Sequence, residues 1–307
     1  MKTLVIGSAL FEMLVRLDAL PKTGEDVLCR ESGMIIGGCA YNVAGTLRNM
    51  GCDHDLCVPV GKGHYADIIA KELRRCGYEI LIRDESQDNG WCLDLVEAGG
   101  ERTFITSQGI EATFRESWFD GIDMTFYDTV YVSGYQLCGG SGREMVSWLE
   151  RLSGKQLFFA PGPVIGQIEP FVKAALFALH PILHLNETEA KEASGELEAE
   201  KAARNLYRRT GNLVIITLGA EGALYDDGNG VHRIPSRAAE VVDTIGAGDS
   251  HLGAVIGGLS RGYSIESAIR FANCVAAEIV SIQGPVMEKQ QFEQRMGKWN
   301  EQDKSIF

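Results

Sequence analysis

Short, apolar, β-branched or aromatic runs recur along the chain at Leu4 to Ile6, Leu56 to Val60, Thr129 to Ser133, Leu157 to Ala160, Ile182 to Leu185 and Leu213 to Leu218. Runs that are apolar at successive positions, rather than alternately, suit strands buried on both faces of a parallel sheet. Between them lie amphipathic helical patterns: Tyr41 to Met50, Ala66 to Arg75, Arg143 to Leu152, Pro170 to Leu179 and Glu198 to Arg209. The alternation predicts an α/β fold, a doubly wound and mainly parallel sheet flanked by helices. In such a sheet ligands bind beyond the C-terminal strand ends. At 307 residues the chain approaches the upper limit for one hydrophobic core, so a single domain over 1–307 is expected rather than two equal ones.

Two stretches break the alternation. About Val15 to Met34, and Trp91 to Thr106 around the turn Glu97-Ala98-Gly99-Gly100-Glu101, read as hairpin strands with no helix to cover them. They predict a small β lid built from segments about 12–36 and 90–112. A small sheet uncovered on one side leaves apolar area and edges to bury, so a homodimer through the lid is expected.

The formal net charge of -13 disfavours nucleic acid and anionic lipid as partners. Eight scattered cysteines without a C-x-x-C pair read as reduced thiols, the histidines show no metal-ligand spacing, and no run approaches a membrane span. The expected setting is the cytoplasm.

The segment that carries chemistry is Asp243-Thr244-Ile245-Gly246-Ala247-Gly248-Asp249, followed by the small, apolar run His251 to Leu259. Small residues opening a helix leave several N–H groups free to hold a phosphoryl group, here from Gly246, Ala247 and Gly248. Asp249, in the first turn, is placed to take a proton from an attacking hydroxyl. The structural alternative is a tight turn with Asp249 as a cap. The longer string resembles the C-terminal signature of the ribokinase-like (PfkB) carbohydrate kinases. Gly37-Gly38-Cys39-Ala40-Tyr41-Asn42 resembles the N-terminal signature of that family.

The resemblance implies ATP-dependent phosphorylation of a sugar hydroxyl, with Asp249 as base and Gly37, Gly38 and Asn42 at the sugar. It further implies Mg²⁺ organised through water by Glu189 of Asn186-Glu187-Thr188-Glu189, with Asn186 near the phosphates. A helix capping box uses the same two residues. Thr217, Gly219 and Gly222 resemble the nucleotide loop, and Asn273 lies on the helical pattern Ser264 to Val280 expected beside the adenine. Asp243 and Ile245, with backbone near Gly284, correspond to a region where relatives bind K⁺.

The chain departs from the family pattern at the substrate end. Glu12 stands where Asp is usual, Leu10 lies near a usual Asn, and Ala160 precedes Pro161 where Asp or Asn is frequent. Gln136 is a further candidate contact, and Trp91 and Phe104 offer an aromatic wall or mere hairpin filling. A furanose or related carbohydrate is the expected acceptor. A nucleoside kinase of the same fold and a non-catalytic sugar sensor are the alternatives. No P-loop and no dinucleotide fingerprint occur, which excludes those two nucleotide-binding designs.

Overall fold

A computed structural model describes residues 1–98 and 101–302, with side chains to 297. In chain order the elements are β1 Thr3–Ile6, β2 Leu10–Arg16, β3 Glu31–Gly37, α1 Cys39–Met50, β4 His54–Cys57, β5 Pro59–Val60, α2 His64–Arg75, β6 Ile82–Arg83, β7 Trp91–Val96 and β8 Arg102–Ser107. They continue with β9 Thr129–Ser133, α3 Ser141–Glu150, β10 Gln156–Ala160, α4 Pro170–Ala178, β11 Ile182–Asn186, α5 Glu187–Ser194, α6 Ala199–Thr210 and β12 Val214–Thr217. The last are β13 Ala223–Asp226, β14 Val231–Ile234, α7 Ala247–Ser260, α8 Ile265–Ile279 and α9 Lys289–Gln302.

The large sheet runs β14-β13-β12-β11-β10-β9-β1-β4, parallel from β4 to β12 and antiparallel at β13 and β14. Its strands alternate between two cores: Val5, Phe158 and Ile215 face one, while Leu4, Ile6, Phe159 and Ile216 face the other. That two-sided burial is why these runs are apolar without a period of two. The expected strand Leu56 to Val60 is two strands here. Pro59 has no N–H for a ladder, and β5 leaves the large sheet to pair with β6.

A second sheet, β3-β2-β7-β8, stands apart from the large one. Its first hairpin lies outside the expected bounds: β2 starts at Leu10 and β3 ends at Gly37, and residues 17–30 join them. The second matches expectation at Trp91–Val96 and Arg102–Ser107, although Gly99 and Gly100 of the turn lie outside the described residues. Register places Glu12 beside Cys92, Asp94 opposite Phe104 and Val96 opposite Arg102. Glu12, Cys92, Asp94, Arg102 and Phe104 therefore share one face. Trp91 pairs with Phe11 and points to the other face, so it is no part of a wall on the Glu12 side.

Candidate active site

The parallel strands end in Ser133, Ala160, Asn186 and Thr217, and all four line one cavity with Cys39, Tyr131, His184, Glu189, Gly248 and Asp249. A doubly wound sheet is expected to place its ligand site there. Asp249 lies in the first turn of α7, whose N-cap Gly246 is left-handed at φ 69° with no side chain capping the helix. A side chain at Gly246 would collide with Pro285, whereas the space beside Gly248 is open. The N–H groups of Gly248 and Asp249 thus begin a helix where no intrahelical carbonyl is available to them.

Asn42, in the first turn of α1, donates from Nδ2 to Asp249 Oδ2 at 2.8 Å. Its Oδ1 is buried and finds no partner among the described residues. Burial pushes the Asp249 carboxyl up to about 6, against the hydrogen bonds from Asn42 and from the Cys39 thiol, while Glu189 adds to the rise. Burial likewise raises Glu189, whose carboxylate accepts from the backbone N–H of Asn186 at 3.1 Å and its amide at 2.7 Å. Glu189 N–H in turn donates to Asn186 Oδ1, completing the capping box. The cap and the approach to Asp249 therefore coexist on one helix start.

Glu12 reaches the same centre from the small sheet. Burial, then Asp94 and Asp249, push its carboxyl up to about 7, and Arg102 opposes them. Gly37 admits this side chain: a Cβ there would lie 2.4 Å from Glu12 Oε1. Gly38 is different, with φ 106° and a would-be Cβ 2.6 Å from the Ser8 carbonyl oxygen. The glycine pair thus fits the chain's own groups closely. Gln136 is buried and accepts from the Ser133 hydroxyl at 2.5 Å.

A second cavity of about 420 Å³ adjoins the first across Thr217 and Gly248. Gly219, Gly222, Ala238, Val241, Ala276 and Val280 give it apolar walls, with Asn273 and His251 at its back. Asn273 has no free donor for a base, because Nδ2 donates to Ile234 O at 2.9 Å and Pro235 O at 3.3 Å. Its Oδ1 accepts from His251 Nε2 at 3.1 Å, so His251 Nδ1 must accept from His184 Nε2 at 2.9 Å. Burial holds both imidazoles below their ordinary range and so neutral. This His184-His251-Asn273 chain joins the backs of the two cavities.

Asp243, Ile245 and Gly284 do come together, but through N–H groups. Asp243 accepts from Ile245 N at 2.9 Å and Gly284 N at 3.2 Å, and the Arg102 guanidinium completes the set. Donors, one of them cationic, surround this carboxylate. The residues present do not fit K⁺ there. Sequence reasoning missed Arg102, Asp94, Cys39 and the two histidines as site residues. The available signal was a lone carboxylate on the inward positions of Cys92-Leu93-Asp94-Leu95-Val96.

A carboxylate at a helix N-terminus, beside a second carboxylate and next to an apolar cleft, is an arrangement that phosphoryl transfer can use. The family model described as pfkB family carbohydrate kinase matches residues 2–289, and the chain belongs to that family. It is 34% identical over 285 residues, covering 92% of this chain and 89% of the relative, to a protein of Escherichia coli (strain K12) described as uncharacterized sugar kinase YegV. The fold is shared with ribokinase from Thermotoga maritima, at TM-score 0.81 and 24% identity over 96% of this chain and 98% of that one. It is also shared with a Burkholderia thailandensis nucleoside kinase in complex with inosine, at TM-score 0.78 and 19% identity over 97% of this chain and 96% of that one.

Proposed function

We propose that the chain transfers the γ-phosphoryl group of ATP to a hydroxyl of a furanose or related carbohydrate, with Asp249 as general base. The observation that carries this is Asp249 itself, set at the uncapped start of α7 and oriented by Asn42. Asp249 accepts the proton of the attacking hydroxyl, the sugar oxygen bonds to the γ-phosphorus, and the bond from that phosphorus to the β,γ-bridging oxygen breaks to release ADP. The N–H groups of Gly248 and Asp249 face the developing charge on the transferred oxygens, whereas that of Ala247 is donated to Thr244 O at 3.4 Å. The Asn42 Oδ1, without a partner among the described residues, is an acceptor for a sugar hydroxyl, and Glu12 is a second.

The apolar 420 Å³ cavity suits the adenine, and Thr217, Gly219 and Gly222 form its rim toward the phosphates. Kinases of this family use ATP with a divalent metal ion. Glu189 and Asn186 would hold Mg²⁺, whose chemistry is to neutralise phosphate oxygens. Burial raises both Glu189 and Asp249, and Glu189 adds to the rise at Asp249, a setting that a divalent cation relieves.

The small sheet acts as the lid, since its Glu12 face turns to Asp249. A nucleoside acceptor remains the second reading, because Phe104 stands 53% exposed on that face and offers a ring for stacking. The opposite face, with Met34 and Ile105 exposed, supports dimerisation through the lid. No helix among the described residues is long and apolar enough to cross a membrane, and all eight cysteines are free, which supports a cytoplasmic enzyme.

The test is ADP release from Mg·ATP across pentoses, hexoses and nucleosides, with Asp249→Asn as the blank. Turnover on one acceptor class that disappears in the blank is expected. Binding of ATP with no turnover on any acceptor would favour a sensor and overturn the proposal.

A further inference from the structure

Two buried carboxylates from distant parts of the chain share one guanidinium. Arg102, on β8, reaches Asp94 on the neighbouring strand β7 with one arm of its fork and Asp243, 141 residues away, with the other. The three side chains are nearly sealed: Arg102 is 13% exposed, Asp94 2% and Asp243 0%. Asp243 is the residue that shapes the start of the anion hole. Its carboxylate accepts the N–H groups of Ile245 and Gly284, and its own N–H donates to Val280 O at 3.1 Å. Three residues beyond it Gly246 takes the left-handed conformation that opens α7 toward Asp249.

We propose that Arg102 is a positioning residue for phosphoryl transfer, a fixed cation carried by the small sheet that sets the Asp243 to Gly248 loop when that sheet is seated. The proposal rests on the kinase reading and deepens it. A planar fork can satisfy two carboxylates at once, which an ammonium cannot do with the same geometry. Without the guanidinium, Asp243 keeps only two backbone donors for a fully buried charge, and the loop that it organises loses its fixed shape. The bond also ties the small sheet to the loop that opens α7, so seating of the lid over an acceptor and assembly of the anion hole become one event. Because the guanidinium already provides the positive charge at Asp243, the enzyme needs no monovalent cation there.

The experiment compares the wild type with Arg102→Met, which keeps an apolar stem, and Arg102→Lys. Kinetics use the acceptor found in the screen above. Arg102→Met is expected to lower kcat about tenfold or more with the ATP dissociation constant changed less than about threefold, and Arg102→Lys to fall between. Guanidinium chloride at about 20 mM, well below denaturing concentrations, should restore part of the lost kcat, while sodium chloride at the same strength should not. The wild type should turn over equally in potassium, sodium and tetramethylammonium buffers.

A second readout does not depend on any acceptor. Amide hydrogen exchange in Arg102→Met should quicken at 243–250 and at β8 while β9 and β10 remain protected. Unchanged kcat, loss without guanidinium rescue, wild-type activation by potassium, or unchanged exchange at 243–250 would each overturn the proposal. A silent acceptor screen would count against the kinase reading and leave the exchange comparison to decide this one.

Discussion

Adding one methyl group at Gly37 should separate substrate recognition from folding. A Cβ at that position would lie 2.4 Å from Glu12 Oε1, 2.6 Å from its carboxyl carbon and 2.7 Å from Oε2. These are far inside the separation of about 3.5 Å at which carbon atoms attract best. The Gly37 backbone has no positive φ, so alanine fits the chain and only the end of a flexible side chain must move. Glu12 should swing away and cease to meet the acceptor hydroxyl. A buried hydrogen-bonding partner left unmatched costs about 1–3 kcal/mol, or roughly a fivefold to hundredfold loss in kcat/KM. Gly38→Ala is the contrast, because its φ of 106° and the 2.6 Å approach of the Ser8 carbonyl oxygen involve backbone on both sides. That variant should lose about 1–3 kcal/mol of folding stability or more. The assay is steady-state kinetics on the accepted sugar with thermal unfolding of both variants. An unchanged kcat/KM in Gly37→Ala, or a loss of Tm matching that of Gly38→Ala, would refute the placement of Glu12 in the sugar site.

Asp249→Asn should cut kcat by about a hundredfold or more while calorimetry shows ATP binding retained. Since burial lifts Asp249 to about 6 and the base works ionised, kcat/KM should fall as pH drops below that value, with no such limb in the residual rate of Asp249→Asn. Glu12→Gln should stabilise the protein at high pH: the folded-state value is raised from 4.5 to about 7, so stability is favoured by protonation and lost as pH rises through 7. Relief at pH 8 amounts to at most about 3 kcal/mol and vanishes below pH 4.5, and a Tm difference independent of pH would count against the shift. His251→Leu leaves Asn273 Oδ1 and His184 Nε2 unpaired, so the KM for ATP should rise by about fivefold or more; an unchanged KM for ATP would exclude a role in the nucleotide wall. Sugars that already carry a phosphate should be poor acceptors, and turnover of a sugar phosphate above that of its parent sugar would contradict the charge arrangement of the site.

What could be read from the sequence was whatever is local. Each buried strand of the parallel set announces itself because both faces are covered, and Asp243 to Asp249 is a contiguous string whose glycines and acid act within one turn. The antiparallel edge was not legible: Val231-His232-Arg233-Ile234 is short and carries its polar residues outward, so it lacks the apolar run that marks a core strand. Pro59 divided a run that periodicity alone joins. Arg102 escaped for a different reason. Its partners are set by the β7–β8 register and by where the small sheet lies over the large one, and neither follows from spacing along the chain. Asn273 shows the converse, since its place on the helix Ile265–Ile279 was legible while the commitment of its amide to Ile234, Pro235 and His251 was not.

The charge balance around Asp249 ties these observations together. Glu12, Asp94, Asp243, Asp249 and Glu189 converge, and the cation that meets them, Arg102, is already divided between Asp94 and Asp243. Arg16 also feels Asp94 but is paired with Glu31. Such a centre is poorly suited to an acceptor bearing a phosphate or carboxylate, because bringing in another anion adds repulsion in a setting that screens charge weakly. It suits a neutral polyol, whose hydroxyl protons the surplus acceptors can take up. It also leaves the triphosphate dependent on a metal ion and on the first-turn N–H groups of α7 for neutralisation. On the proposed reading, the acidity that disfavours an anionic acceptor also makes transfer depend on the geometry of the Asp243 to Gly248 loop, which Arg102 contacts at Asp243.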